Sequence, residues 1–259
     1  MTNPLILNIP HSSTFLPCDA IYIPDSINQA SSGRAYAKAK IELPFMTDWY
    51  TEELFSCGVG RPLVFPLSRL VCDIERFRDP SEEPMEKIGM GICYSKTHDL
   101  KTLSNPDEKH RQYILEHYYD VYHRMLECYV EEALDTFDRA LILDCHSFSA
   151  VPLPYEPDQN PNRPDICIGT DEFHTSQDLV EQTVSFFKDK GFTVKINSPY
   201  SGTIVPTSFY KDDERVNSIM IELNRSLYLK DGTNQKNSYF KTLKNYLREY
   251  QEMVLNIKV

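Results

Sequence analysis

The chain has 259 residues, 41% of them hydrophobic and 25% charged, with a formal net charge of −11. That length suits one hydrophobic core, so residues 1–259 are expected to form a single α/β domain. The acidic balance excludes sequence-independent nucleic-acid binding, which needs a basic footprint, and the longest apolar runs, such as 140–143, fall far short of a membrane span. The opening MTNPLILNIPHSS has neither the basic nor the long apolar region of an export signal, so a cytoplasmic location is expected.

PLILNIPHSS predicts a buried strand over residues 4–9, stopped by Pro10, with His11 just beyond it. In LPFMTDWYTEELFSC, residues 43–57, the spacing of Met46, Tyr50, Leu54 and Cys57 predicts one helix, with Asp48 near its start and Gly58 as its stop. Residues 62–77 read as two strand-prone segments broken by Pro66 and ending in Asp73, Glu75 and Arg76; 78–103 reads as a long loop. Asn105 and Pro106 predict the start of a helix that runs to about Phe137 on a stripe of Tyr113, His117, Val121, Met125, Tyr129 and Leu134. LILD is the next strand, 149–165 a proline-rich loop and ICIGTD another short strand. A helix over 176–190, closed by Gly191, leads into a strand at 192–197. NSPYSGTIVP is irregular, SIMIELNR is a strand, and an amphipathic helix over 238–255 closes the chain. Such alternation predicts a parallel or mixed sheet between helices. The seven cysteines, at 18, 57, 72, 93, 128, 145 and 167, form no C-x-x-C and read as buried free thiols.

In open α/β sheets ligands bind at the carboxyl ends of strands. Four predicted strands end in polar clusters: His11; Asp73, Glu75 and Arg76; Asp144 and His146; Glu222, Asn224 and Arg225. In LILDCHSFSA the two-residue period puts Asp144 and His146 on one face and Cys145 on the other. Each histidine alone reads as a capping or solvated group, whereas two with nearby carboxylates suit a catalytic metal site. Glu222 sits in a strongly apolar strand, either as half of a buried ion pair with Arg225 or Arg76, or as a general base with a raised pKa. Arg69, Arg76 and Arg225 each follow a strand-prone segment and offer a fork for carboxylates, or else pair with Asp73 or Glu75. His98, His110, His117, His123 and His174 read as surface or packing residues. Ser147 and Cys145 lack the context of an activated nucleophile.

ILNIPHSS, TDWYTEELF, SRLVCDIERF, LILDCHSF, PDICIGTD, NSPYSGTIVP and SIMIELNRSLY, in this order, resemble the N-formylglutamate amidohydrolase family from about residue 5 to residue 230. That family is similar to the zinc carboxypeptidases and aspartoacylases. The resemblance implies a carboxypeptidase-like (phosphorylase/hydrolase-like) α/β fold with an eight-stranded mixed sheet sandwiched by helices. It also implies one Zn2+ per chain and hydrolysis of a small N-acyl acidic amino acid, in the type reaction N-formyl-L-glutamate to formate and glutamate. His11 and His146 would be metal ligands, Glu222 the base that takes a proton from water and passes it to the leaving nitrogen, and Arg69 the oxyanion stabiliser. IERF resembles an Asn-Arg pair that holds a substrate carboxylate, which nominates Arg76, with Arg225 as a further arginine; this chain has Glu75 in place of the Asn. Tyr200 and Gly202, with the loop 78–103, would form a flexible wall over the substrate. Relatives carry a glutamate three residues after the first histidine, where this chain has Thr14. Asp48 is the favoured third ligand, with Asp144, Asp73 and Glu75 as alternatives, Asp144 otherwise orienting a ligand histidine. Other N-acyl-amino-acid amidohydrolases, a carboxypeptidase-like peptidase, and a binding protein for an acidic metabolite that has lost catalysis are the competing readings.

Overall fold

The computed structural model describes residues 3–17 and 29–257, with side chains in the second span from residue 35 onward. Among these residues six strands form one sheet in the order β2-β1-β3-β6-β4-β5. They are β1 (Leu5–Ile9), β2 (Arg61–Val64), β3 (Ala140–Phe148), β4 (Ile166–Gly169), β5 (Val194–Ile196) and β6 (Val216–Asn224). Strands β2, β1, β3 and β6 run parallel, while β4 is antiparallel to β6 and parallel to β5. The expected mixed sheet is therefore present, with six strands instead of eight. The strand-prone segment 67–74 buries Leu67, Leu70, Val71, Cys72 and Ile74. It turns on itself, with Val71 N donating to Ser68 O at 2.8 Å, so its apolar residues serve the core without joining the ladder.

Helices cover both faces, and this is why β3 and β6 are buried throughout. On one side α2 (Thr51–Phe55), α5 (Gln177–Asp189) and α6 (Phe240–Val254) bring Leu54, Phe187 and Leu247 against Leu7, Leu143 and Ile221. On the other, α1 (Gln29–Met46), α3 (Glu108–Ile114) and α4 (Asp120–Phe137) bring Ala39, Ile114 and Leu126 against Ile6, Ile142 and Val216. Each fully buried Leu, Ile or Phe contributes about 1.5–3 kcal/mol. The second face changes character along its length. Ile6 gives way to Asn8, Ile142 to Asp144 and His146, and Val216 to Glu222, so the carboxyl ends of three neighbouring strands leave the core as a polar patch. Among the described residues no helix is long and apolar enough to cross a membrane.

Several local expectations change. The helix expected over 43–57 is broken: α1 ends at Met46, Tyr50 takes a left-handed φ of 64°, and α2 begins at Thr51. Asp48 N donates to His11 O at 3.0 Å, so the break docks Asp48 on the end of β1. The helix expected from Asn105 is capped by Asp107, whose side chain accepts from His110 N, and a π turn at Leu115–Tyr119 separates α3 from α4. Its buried stripe is Ile114, Tyr122, Leu126, Val130 and Leu134, leaving Tyr113, Val121 and Met125 exposed. Two adjacent apolar stripes run along this sequence, and only packing against the sheet selects one. Strand β3 does not stop at Asp144 but pairs with β6 as far as Phe148. Its backbone partners are satisfied there, so polar side chains need not end it. Cys128 is exposed and Cys57 half-buried, whereas Cys72, Cys93, Cys145 and Cys167 are buried thiols as expected; Cys18 lies outside the described residues.

The loop after β5 closes tightly on β4. A Cβ on Gly169 would collide with Gly202 O and Met220, whereas Gly202, at φ +86°, has open space around its own Cβ position. Gly169→Ala is expected to destabilise by about 2–3 kcal/mol through overpacking, against about 1 kcal/mol of backbone cost for Gly202→Ala. Urea unfolding of the two variants checks this, and equal costs would contradict the packing argument.

Candidate active site

Three segments deliver the central groups. β1 runs into His11, the break between α1 and α2 supplies Asp48, and β3 supplies His146; all three are buried. The two imidazole rings stand 5.1 Å apart between centroids. Both present Nδ1 to the same carboxylate oxygen: Asp48 Oδ2 lies 3.8 Å from His11 Nδ1 and 3.2 Å from His146 Nδ1. The Nε2 atoms point away and are held by other carboxylates. His11 Nε2 lies 2.8 Å from Asp73 Oδ1, and His146 Nε2 lies 2.9 Å from Asp144 Oδ1 and 3.2 Å from Glu75 Oε2.

These backing carboxylates are fixed in two ways. Asp73 is neutralised by cations: Arg69 donates through Nε and Nη2 at 3.2 and 2.8 Å, Arg76 Nη2 stands at 3.2 Å, and Tyr94 donates its hydroxyl at 2.6 Å. Burial alone would raise the Asp73 pKa, but Arg69, Arg76 and His11 hold it well below the usual carboxylate range. Among the described residues no arginine pairs with the carboxylates of Glu75 and Asp144, which share the amide of Asn8, whose Nδ2 donates to them at 2.7 and 2.8 Å. Burial works against a charge on His146, but Asp144 and Glu75 outweigh it and hold the imidazole pKa well above its ordinary value. Asp48 likewise overcomes burial through His11, His146 and Arg225 and stays ionised.

Beside His146, its register partner on β6 is Glu222. It is 7% exposed, and neither Arg225 nor Arg76 pairs with it, so the ion-pair expectation is not met among the described residues. Its Oε2 is buried without a partner, and burial pushes its pKa up to about 8 against the pull of His146. Arg225 is engaged elsewhere: Nη2 donates to Asp48 Oδ1 at 2.9 Å, Nη1 to Phe45 O and Nε to Ser147 Oγ. Arg76 donates to Met90 O and Glu75 O as well as meeting Asp73. The segment carrying Met90, Ile92 and Tyr94, expected as part of a flexible wall, is core with these residues fully buried.

On the opposite flank, Ile204 N donates to Asp144 Oδ2 at 3.3 Å, tying the Gly202 loop to the centre. Tyr200 packs edge-on against Phe148 and accepts from Arg163, which is ion-paired with Glu156. Thr14 is exposed, and the carboxylate that faces Nδ1 of both histidines is that of Asp48. The structure adds Asn8 to the site and sets Asp73 and Glu75, expected as alternative ligands, against the Nε2 atoms of the two histidines. Asp73 and Glu75 carried a sequence signal as the acidic end of a strand-prone segment, and Asn8 carried none. Of the five remaining histidines three are held in the structure: His98 bonds Glu42, His123 Nε2 lies on Ile74 O, and His174 bridges Val216 O and Lys211 N.

The centre fits a divalent metal ion. His11 Nδ1 is a buried nitrogen with no hydrogen-bond partner among the described residues, and one nitrogen each from His11 and His146 with one oxygen from Asp48 lie within 4.8 Å of one another. Two donors about 2.1 Å from a tetrahedral ion stand about 3.4 Å apart, a value bracketed by the 3.2 and 3.8 Å here. Two imidazoles and a carboxylate leave a further position open, as catalytic sites do. Glu75, Asp144 and His146 form a second, overlapping group of this kind, but it uses the Nε2 side of the same ring and holds two like charges on one imidazole.

Fold and site together define an α/β protein with a buried two-histidine, carboxylate-backed centre at the ends of its parallel strands. Residues 3–229 match the sequence model of the family described as N-formylglutamate amidohydrolase, and the chain belongs to that amidohydrolase family. The fold is similar to that of an N-formylglutamate amidohydrolase from Ralstonia eutropha JMP134. That match has a TM-score of 0.76 and 25% identity, and covers 98% of this chain and 93% of that one. A gene product from Agrobacterium tumefaciens shares the fold at a TM-score of 0.56 and 16% identity, over 97% of this chain and 90% of that one. None of the curated proteins matches the chain significantly.

Proposed function

We propose that this chain is a metal-dependent amidohydrolase that cleaves N-formyl-L-glutamate to formate and glutamate. The observation that carries the reading is the convergence of His11, Asp48 and His146 beside a buried, unpaired Glu222, in a chain of this family. His11, Asp48 and His146 would hold the ion, zinc being the expected one; when bound, it polarises a carbonyl and lowers the pKa of water.

The chain's own residues then divide the work. Glu222 takes the proton of the attacking water as its oxygen adds to the formyl carbon, and returns it to the amide nitrogen as the C–N bond breaks. Glu222's raised pKa, near 8, suits a group that both accepts and donates a proton near neutrality. Arg69 and Arg76, 12% and 15% exposed and both locked on Asp73, present preorganised positive charge, Arg69 toward the oxyanion and Arg76 toward a substrate carboxylate. Arg225 fixes Asp48 from behind and adds positive potential for an acidic substrate. Asp144 orients His146, while Tyr200 and Gly202 border the substrate on the loop tied down by Ile204.

The test is release of formate and glutamate from N-formyl-L-glutamate by protein of measured metal content, before and after chelation, beside N-formyl-glutamine and N-acetyl-glutamate. We expect turnover of the formyl dicarboxylate that disappears with the metal and returns on adding zinc. Turnover unaffected by full metal removal, or none with the metal bound, would overturn the reading; preference for another N-acyl substrate would keep the chemistry and change the substrate.

A further inference from the structure

We propose that Asn8 is a positioning residue that fixes which ring nitrogen of His146 faces Asp48; the inference rests on the metal-site reading above. Asn8 is fully buried on β1, in register with Asp144 on β3, three residues before His11 on the same chain segment. Its two amide hydrogens are both spent on carboxylates, Glu75 Oε1 at 2.7 Å and Asp144 Oδ1 at 2.8 Å. Those same two carboxylates meet on His146 Nε2. The four side chains close a ring in which a neutral amide sits opposite the imidazole and holds two anions against it.

The amide cannot turn over. Its Oδ1 accepts from the buried hydroxyl of Tyr122 at 2.7 Å, and that hydroxyl also reaches Leu63 O at 3.1 Å. A flipped amide would set its oxygen against two carboxylates, a repulsion that burial magnifies. With Asn8 locked, Glu75 and Asp144 keep Nε2 occupied, and Nδ1 is the nitrogen left to face Asp48. His11 achieves the same end by other means, because its Asp73 is held by arginines. An aspartate in place of Asn8 would add a third anion beside Glu75 and Asp144. Backing groups of this kind set metal affinity as well as ring orientation.

The experiment compares wild type with Asn8→Ala, Tyr122→Phe and the double variant. Zinc affinity is read by competition with a chromogenic chelator, and the His146 ring nitrogens by NMR in the metal-free protein. We expect about 10- to 100-fold weaker zinc binding in Asn8→Ala, a smaller loss in Tyr122→Phe, and a double variant no weaker than Asn8→Ala, because Tyr122 acts through Asn8. The ring-nitrogen resonances of His146 should move in both single variants while those of His11 stay. Wild-type affinity in a folded Asn8→Ala, or unmoved His146 resonances, overturns the proposal. If Asn8→Ala fails to fold, Tyr122→Phe decides by the same two readouts. A wild type that binds no zinc would remove the metal-site reading instead, and the ring resonances would still judge Asn8.

Discussion

His146→Ala is expected to lose both the bound metal and all measurable amidohydrolase activity, and to cost the metal-free protein more stability than His11→Ala does. The first outcome follows from the shared site, since a three-ligand centre deprived of one imidazole retains too few donors. The second follows from what each ring leaves behind. Removing His11 strands Asp73, but Arg69, Arg76 and Tyr94 still neutralise and bond it. Removing His146 leaves Glu75 and Asp144 beside each other with neutral donors alone, the Asn8 amide on both and the Ile204 N–H on Asp144, and no cation bonded to either among the described residues. Breaking a buried charge arrangement by deleting one partner costs about 3–5 kcal/mol. Elemental analysis and denaturant unfolding in chelator check both claims. Metal retained at one equivalent in His146→Ala would refute the ligand assignment, and equal destabilisation by the two variants would refute the charge argument.

Glu222→Gln should separate function from stability. Activity is expected to fall about 10²- to 10⁴-fold, the usual contribution of a general base, with metal content unchanged. The chelator-treated variant should be more stable than the parent near neutral pH. Glu222 has its pKa raised by burial from the ordinary 4.5 to about 8 in the folded protein. Between those two values the folded state binds a proton that the unfolded state has released, so stability falls as pH rises through this window and is flat above it. Near pH 7 the penalty is on the order of 3 kcal/mol, and glutamine, which does not ionise, removes it. Thermal unfolding of both proteins at about pH 5 and pH 8 shows the sign: the gap should widen toward the higher pH. A gap that narrows, or a variant of full activity, would exclude Glu222 as a buried base.

Much of this arrangement is legible in the sequence. The apolar run LILNI and the alternation in LILDCHSF and SIMIELNR mark strands, the latter two with polar residues on one face, and the joint likeness of seven short segments already indicates the amidohydrolase family. Histidines just after or within those strands, and an acid in the most apolar of them, are chemical signals because such residues are costly unless paired or used. The order of strands and helices likewise implies the mixed sheet between two helical layers.

Other features depend on tertiary contacts that local sequence does not encode. Asp48 reads as a helical residue, whereas in the fold the helix breaks beside it at the left-handed Tyr50 and its backbone bonds His11 O, which docks its carboxylate against the histidines. Asn8 carries no signal at all, since a single amide in an apolar strand gains meaning only when residues 67 and 136 positions away arrive to be bonded. The arginines illustrate the same limit. Sequence supplies three guanidinium forks and several acids, but which fork takes which acid is settled by distance and burial: Arg69 and Arg76 on Asp73, Arg225 on Asp48. The sequence by itself determined the periodicities, the residue types and the family, because these rest on near neighbours and on composition. Tertiary structure decided the register, the paired charges and the nitrogen each histidine presents, because buried electrostatic interactions act strongly only between groups that folding has brought within a few ångströms and removed from water.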